Sequence, residues 1–139
     1  MKKLSLLLLL SVLIFSCKKN KDKNCNTDMA SIAGSYKQTA NTYKASSTAS
    51  EQDLYALEDA CEKDDIIALN QNGNYTYTDA GMVCSPAGDG TGTWSVSGST
   101  INIDGQLGTV ASYDCKALVI SFTDVQTTGD IEKITLTRQ

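Results

Sequence analysis

Between Asp65 and Arg138 the apolar residues fall at alternate positions in short runs, and turn signals separate the runs. Ile67 and Leu69, Tyr75 and Tyr77, Trp94 and Val96, and Ile101 and Ile103 each share one face of a period-2 strand. So do Leu118, Ile120 and Phe122, and then Ile134 and Leu136. The other face carries Thr, Ser, Asn, Asp or Lys, as in an antiparallel sheet with one wet face. Asn72-Gly73 is the strongest hairpin signal in the chain, and Ser97-Gly98 and Gly105-Gln106 mark two more turns. Gly81 to Gly90, with the only proline at Pro86, reads as a loop. With a Thr- and Tyr-rich run from Ser35 to Lys44 the strands number eight, which argues a sandwich or an up-and-down barrel. Consecutive short turns favour the meander. The expected fold is therefore all-β: an eight-stranded antiparallel up-and-down barrel, preceded by a short helical turn from Thr27 or Asp28 to Gly34. Ala45 to Asp59 interrupts the pattern. Ser50 and Asp53 form a weak capping box ahead of Leu54 and Leu57, so the segment is a short helix or a long polar loop.

The chain begins differently. Lys2-Lys3 precede an apolar run from Leu4 to Phe15, then Ser16-Cys17. The run is too short to span a bilayer and reads as an export signal. Ile14-Phe15-Ser16-Cys17 resembles the lipobox of bacterial lipoproteins, in which the signal is cut before the cysteine and the thiol is diacylated. Phe15 departs from the stricter form, which has a smaller residue there. The alternative is an ordinary secretory signal with a structural Cys17. The resemblance divides the chain into a signal peptide at 1–16, a lipidated Cys17 with a polar tether to 27, and a domain at 28–139. Its implication is a protein held at a membrane by its lipid, in an oxidising compartment. It implies the periplasmic face of an outer membrane, with surface display as the alternative.

Residues 28–139 carry 15 acidic and 6 basic side chains, net −9, while residues 1–27 are net +5. A domain this acidic is a poor partner for nucleic acid, because nothing neutralises phosphates. The chain has no histidine, which excludes Ser-His-Asp and Cys-His catalysis and His-rich metal sites. No cofactor is indicated, and the chain does not read as an enzyme.

Four cysteines remain beyond Cys17. In a hairpin turning at Asn72-Gly73, Ile67 faces Tyr77 and Leu69 faces Tyr75, and extending that register sets Cys61 opposite Cys84 within one residue. A Cys61–Cys84 disulfide is expected. Cys25 and Cys115 either form a second bridge or stay unpaired.

Gly34-Ser35-Tyr36 after a helical turn resembles the Gly-x-Trp opening of lipocalins, with Tyr36 in place of Trp. Cys61-x-x-Asp64-Asp65, Asn72-Gly73-x-Tyr75, Cys84, Gly92-Thr93-Trp94-Ser95-Val96 and the terminal Thr135-Leu136-Thr137-Arg138 resemble the lipocalin-like domain of Bacteroidota lipoproteins. The resemblance implies a barrel that binds a small hydrophobic ligand or acts as a filled interaction module of the cell envelope. The candidate ligand-lining residues are Tyr36, Leu69, Tyr75, Tyr77, Trp94, Ile103, Ile120 and Phe122. A barrel of this size is either packed by its own side chains or holds one small ligand. Two other features stand out. Glu58, Asp59, Glu62, Asp64, Asp65 and Asp79 form an acidic cluster, which reads as a solvated face rather than a metal site. The Asp79–Gly90 loop, with Met82 and Val83, is the best candidate surface for a protein partner.

Overall fold

The computed structural model describes residues 25–139. Cys17 and the segment before residue 25 lie outside the described residues. A short helix α1 (Met29–Ile32) leads into β1 (Gly34–Lys44). A two-residue strand β2 (Gln52–Asp53) and a 3-10 turn (Tyr55–Leu57) follow. Then come β3 (Ile66–Leu69), β4 (Asn74–Thr78), β5 (Gly90–Ser97), β6 (Thr100–Ile103), β7 (Gln106–Tyr113), β8 (Ala117–Thr123) and β9 (Ile131–Arg138). From β3 to β9 each strand pairs with the next, antiparallel, and β1 pairs with both β3 and β9. The eight long strands therefore close into an up-and-down barrel, as the alternation and the short turns require, and β2 clips onto the far half of β1.

The first hairpin has the expected register, with Ile67 opposite Tyr77 and Leu69 opposite Tyr75. Its turn needs Gly73, which sits at φ 88. Along β8 the inward residues Leu118, Ile120 and Phe122 are buried and alternate with half-buried neighbours. The 45–59 segment is a loop, not a helix. Asp53 accepts the Ala56 N–H and starts the 3-10 turn, while the Leu54 N–H goes to the carbonyl of Asn41 on β1. Leu57 is left 80% exposed, so no apolar helical face forms there.

One end of the barrel is closed. Asp28 caps α1 by accepting the Ser31 N–H, and Ile32 then buries over the barrel end. Tyr36, Trp94, Ile101 and Leu118 fill the space beneath and are almost fully buried. Burial of each such side chain is worth about 1.5–3 kcal/mol. The last carbonyls of α1 are satisfied by Arg138, whose guanidinium donates to Ser31, Ile32 and Ala33. The same group lies over the Tyr36 ring, 5.0 Å from its centroid. The β3–β4, β5–β6 and β7–β8 turns lie at this end. The 45–65, 79–89 and 124–130 loops and the β6–β7 turn lie at the other.

Candidate functional site

The barrel is packed at the α1 end and hollow at the other. A cavity of about 250 Å³ opens there. The buried side chains of Leu69, Ile120, Phe122 and Leu136 form its deep wall, with Ile67, Ile103 and Ile134 beside them. Tyr75, Tyr77, Gln38, Gln106 and Glu132 complete the lining. A second hollow of about 220 Å³ adjoins it and shares Gln38, Ile67 and Tyr77, with Glu58, Glu62 and Asp65 as its other walls. Its position follows from the sheet. β1 pairs with β3 only from Gly34 to Tyr36, so the seam between them parts beyond Tyr36 and the 58–65 segment fills the gap.

Of the eight candidate lining residues, Leu69, Tyr75, Tyr77, Ile103, Ile120 and Phe122 do line the cavity. Tyr36 and Trp94 do not. Both face inward, but they lie at the closed end as part of its packing. The Tyr36 hydroxyl donates to the Ile32 carbonyl at 2.5 Å, and the Trp94 indole N–H donates to the Asn70 carbonyl at 2.8 Å. Gln38, Gln106 and Glu132 line the cavity as well, which the apolar alternation does not indicate. Gln38 follows Tyr36 by two positions, and Glu132 precedes Ile134 by two. The signal was there: a polar residue on an otherwise inward face marks the point where a barrel stops being packed.

Gly108 shapes the cavity through the room it leaves. It pairs with Phe122 across β7 and β8, and a Cβ there would come within 2.7 Å of the Phe122 ring. The glycine leaves the Phe122 ring the room that a side chain there would take.

The mouth is rigidified by carboxylates that accept backbone N–H groups. Asp79 takes those of Cys84 and Gly88 and is buried. Asp130 takes those of Val125, Gln126 and Thr127, together with the Tyr43 hydroxyl, and is fully buried. Burial pushes its carboxyl up, but these donors outweigh that and hold it at about 2. Asp64 accepts the Met82 N–H and Asp65 the Ala80 N–H, which binds the 58–65 segment to the 79–89 loop. The Cys61–Cys84 pair joins the same two segments, with Cα atoms 5.3 Å apart. Cys25 and Cys115 form a second linked pair, also at 5.3 Å, at the closed end. Much of the acidic cluster is thus a set of loop staples. Among the described residues no group of His, Cys, Asp and Glu is arranged to hold a metal ion.

The tyrosine rings are fixed by their hydroxyls. Tyr77 donates to Asp65, and Tyr75 donates to Asp104 at 2.5 Å. Burial, followed by the Asp65 contact, pushes the Tyr77 phenol far above its ordinary value, so it stays a neutral donor. For Tyr75 the bond to Asp104 is the main cause of a rise. Glu58 is also raised, by burial first, against opposing hydrogen bonds from Gln38 and Asn41. The Gln38 amide reaches Glu58 at 2.5 Å.

Residues 32–138 match a family model described as a lipocalin-like domain. No curated protein and no solved structure matches the chain.

Proposed function

The chain belongs to the lipocalin-like domain family, and from that premise we propose that it is a binding protein, not an enzyme, which takes a small apolar ligand into the open half of its barrel. The observation that carries this reading is the division of the interior. Packing is complete under α1, yet a hollow of about 250 Å³ persists where a filled barrel would place further large side chains. The apolar wall would hold the ligand body, and the few polar groups at the mouth would orient it.

The proposal includes export and anchoring through a lipid on Cys17, at the periplasmic face of an outer membrane. The tether would join the barrel at its closed end, where Cys25 is linked to Cys115. Cys17 lies eight residues before Cys25, at most about 28 Å of extended chain. The mouth would then face away from the anchoring membrane.

Native mass spectrometry of the protein recovered from its own cells tests the binding reading, with a co-purifying small apolar molecule expected. Recovery of an empty barrel, together with failure of short apolar probes to bind, would overturn it. Cys17→Ser tests the anchor: the variant should leave the membrane fraction, and its retention there in high salt would refute lipidation.

A second reading is an interaction module acting through the mouth loops. Its support is that Leu57, Met82, Val83 and Leu107, exposed by 60–80%, all lie on segments at the mouth end.

A further inference from the structure

The walls of the cavity carry one sign of charge. Glu132 lines the apolar hollow, and Glu58, Glu62 and Asp65 line the one beside it. None of the basic residues of the domain lines either. Arg138 is spent at the opposite end on α1. Lys63, whose charge is felt at Glu58, lies over the Tyr55 ring, 5.2 Å from its centroid. Asp65 is already committed to Tyr77 and Ala80, and Glu58 to Gln38, but Glu132 accepts no hydrogen bond from any described side chain or backbone group.

Aromatic rings supply an independent indication. Tyr75, Tyr77 and Phe122 line the cavity, and the two phenol hydroxyls already donate to carboxylates, so they offer a ligand aromatic surface and no free O–H donor. Rings of this kind together with carboxylates favour an ammonium group over a neutral or anionic head, since ring quadrupole and carboxylate attract the same charge. A fatty acid would meet the opposite conditions: its carboxylate would enter among four others with no cation to receive it.

Resting on the binding reading above, we infer that the ligand is a small organic cation: a short apolar body carrying an ammonium head. The body packs against Leu69, Ile120 and Leu136. The head sits where the two hollows meet, near Gln38 and Tyr77, within the field of Glu132 and Glu58. The volume sets the size. At about 250 Å³ the hollow lies just below the roughly 300–1,000 Å³ of ordinary small-molecule sites, which favours a short body.

The test is calorimetric titration of the purified protein with three probes of one chain length: octylammonium, 1-octanol and octanoate, each below its aggregation limit. Octylammonium should bind about tenfold more tightly than 1-octanol, and octanoate more weakly than either. The double variant Glu58→Gln, Glu132→Gln should erase most of the octylammonium advantage over 1-octanol. Ile134→Trp should abolish binding of all three in a protein that still unfolds cooperatively. If 1-octanol and octanoate bind as well as octylammonium, the charge preference is refuted and the apolar site stands. If none of the three binds, the binding reading fails and this inference with it.

Discussion

Replacing Arg138 by methionine keeps an apolar stem of similar length and removes the guanidinium. Five hydrogen bonds go with it: to the carbonyls of Ala33 at 3.0 Å, Ser31 at 2.8 Å and Ile32 at 3.3 Å, and to the hydroxyl oxygens of Tyr36 and Tyr113 at 2.8 Å each. The losses are unequal. The Ile32 and Ser31 carbonyls keep donors, because the Tyr36 and Tyr113 hydroxyls donate to them at 2.5 Å. Ala33 keeps none from a side chain, and an orphaned carbonyl costs about 1–3 kcal/mol. Loss of the cation over the Tyr36 ring adds about 0.5–1 kcal/mol. The charge-assisted bonds to the two hydroxyls add to this, so the total is at least about 2 kcal/mol, a sizeable share of the roughly 5–15 kcal/mol that stabilises a domain. Equilibrium urea denaturation should show that loss at an unchanged m-value. Gly34→Ala reaches the same group from the other side, because a Cβ there would come within 2.3 Å of the guanidinium. The two substitutions should therefore be less than additive. A loss below about 1 kcal/mol for Arg138→Met would show that apolar burial alone docks α1, and the account of the closed end would fall.

Trp94 is 2% exposed, so Trp94→Ala should cost about 3–5 kcal/mol, and its fluorescence should be blue-shifted. A red-shifted, readily quenched emission would put the wrong face of β5 inside. Asp130 is held at about 2 against an ordinary 3.8, so the stability it contributes is complete above about pH 4 and is lost as the pH falls through about 2. Asp130→Asn should lower stability at neutral pH and flatten that part of the acid-denaturation curve; parallel curves for the two proteins would refute the assignment. The two bridges close loops with sequence separations of 90 and 23 residues. Chain entropy assigns them about 4.5 and about 3 kcal/mol, so replacing Cys25 and Cys115 by serine should destabilise the barrel more than replacing Cys61 and Cys84. The reverse order would show that stapling the mouth loops matters more than cross-linking the unfolded chain.

What the sequence revealed, and what it withheld, follows from the geometry of a strand. Alternation specifies which face a side chain takes, because a slip of one residue would turn every apolar group outward. Tyr36, Trp94, Ile120 and Phe122 all face inward for that reason. Alternation says nothing about depth along the barrel axis. Depth is set by the stagger between neighbouring strands and by what covers each end, and both are long-range properties. The bulges between Gln38 and Ala40 on β1 and between Val110 and Ser112 on β7 shift that stagger without a local signature. Alternation therefore places Tyr36 and Trp94 on the inner side of the sheet without saying that they lie at its packed end. The loop carboxylates were hidden for a related reason. Asp79, before Ala80-Gly81, and Asp130, after Thr127-Thr128-Gly129, stand in loop sequence that looks solvated. Only the folded loops turn several backbone N–H groups onto one side chain. Those two acids are internal acceptors, whereas Glu132, on the inward face of β9, has no such donor among the described residues. A carboxylate thus acts as a staple in one place and as an unspent charge in another, and the number of backbone donors that converge on it separates the two.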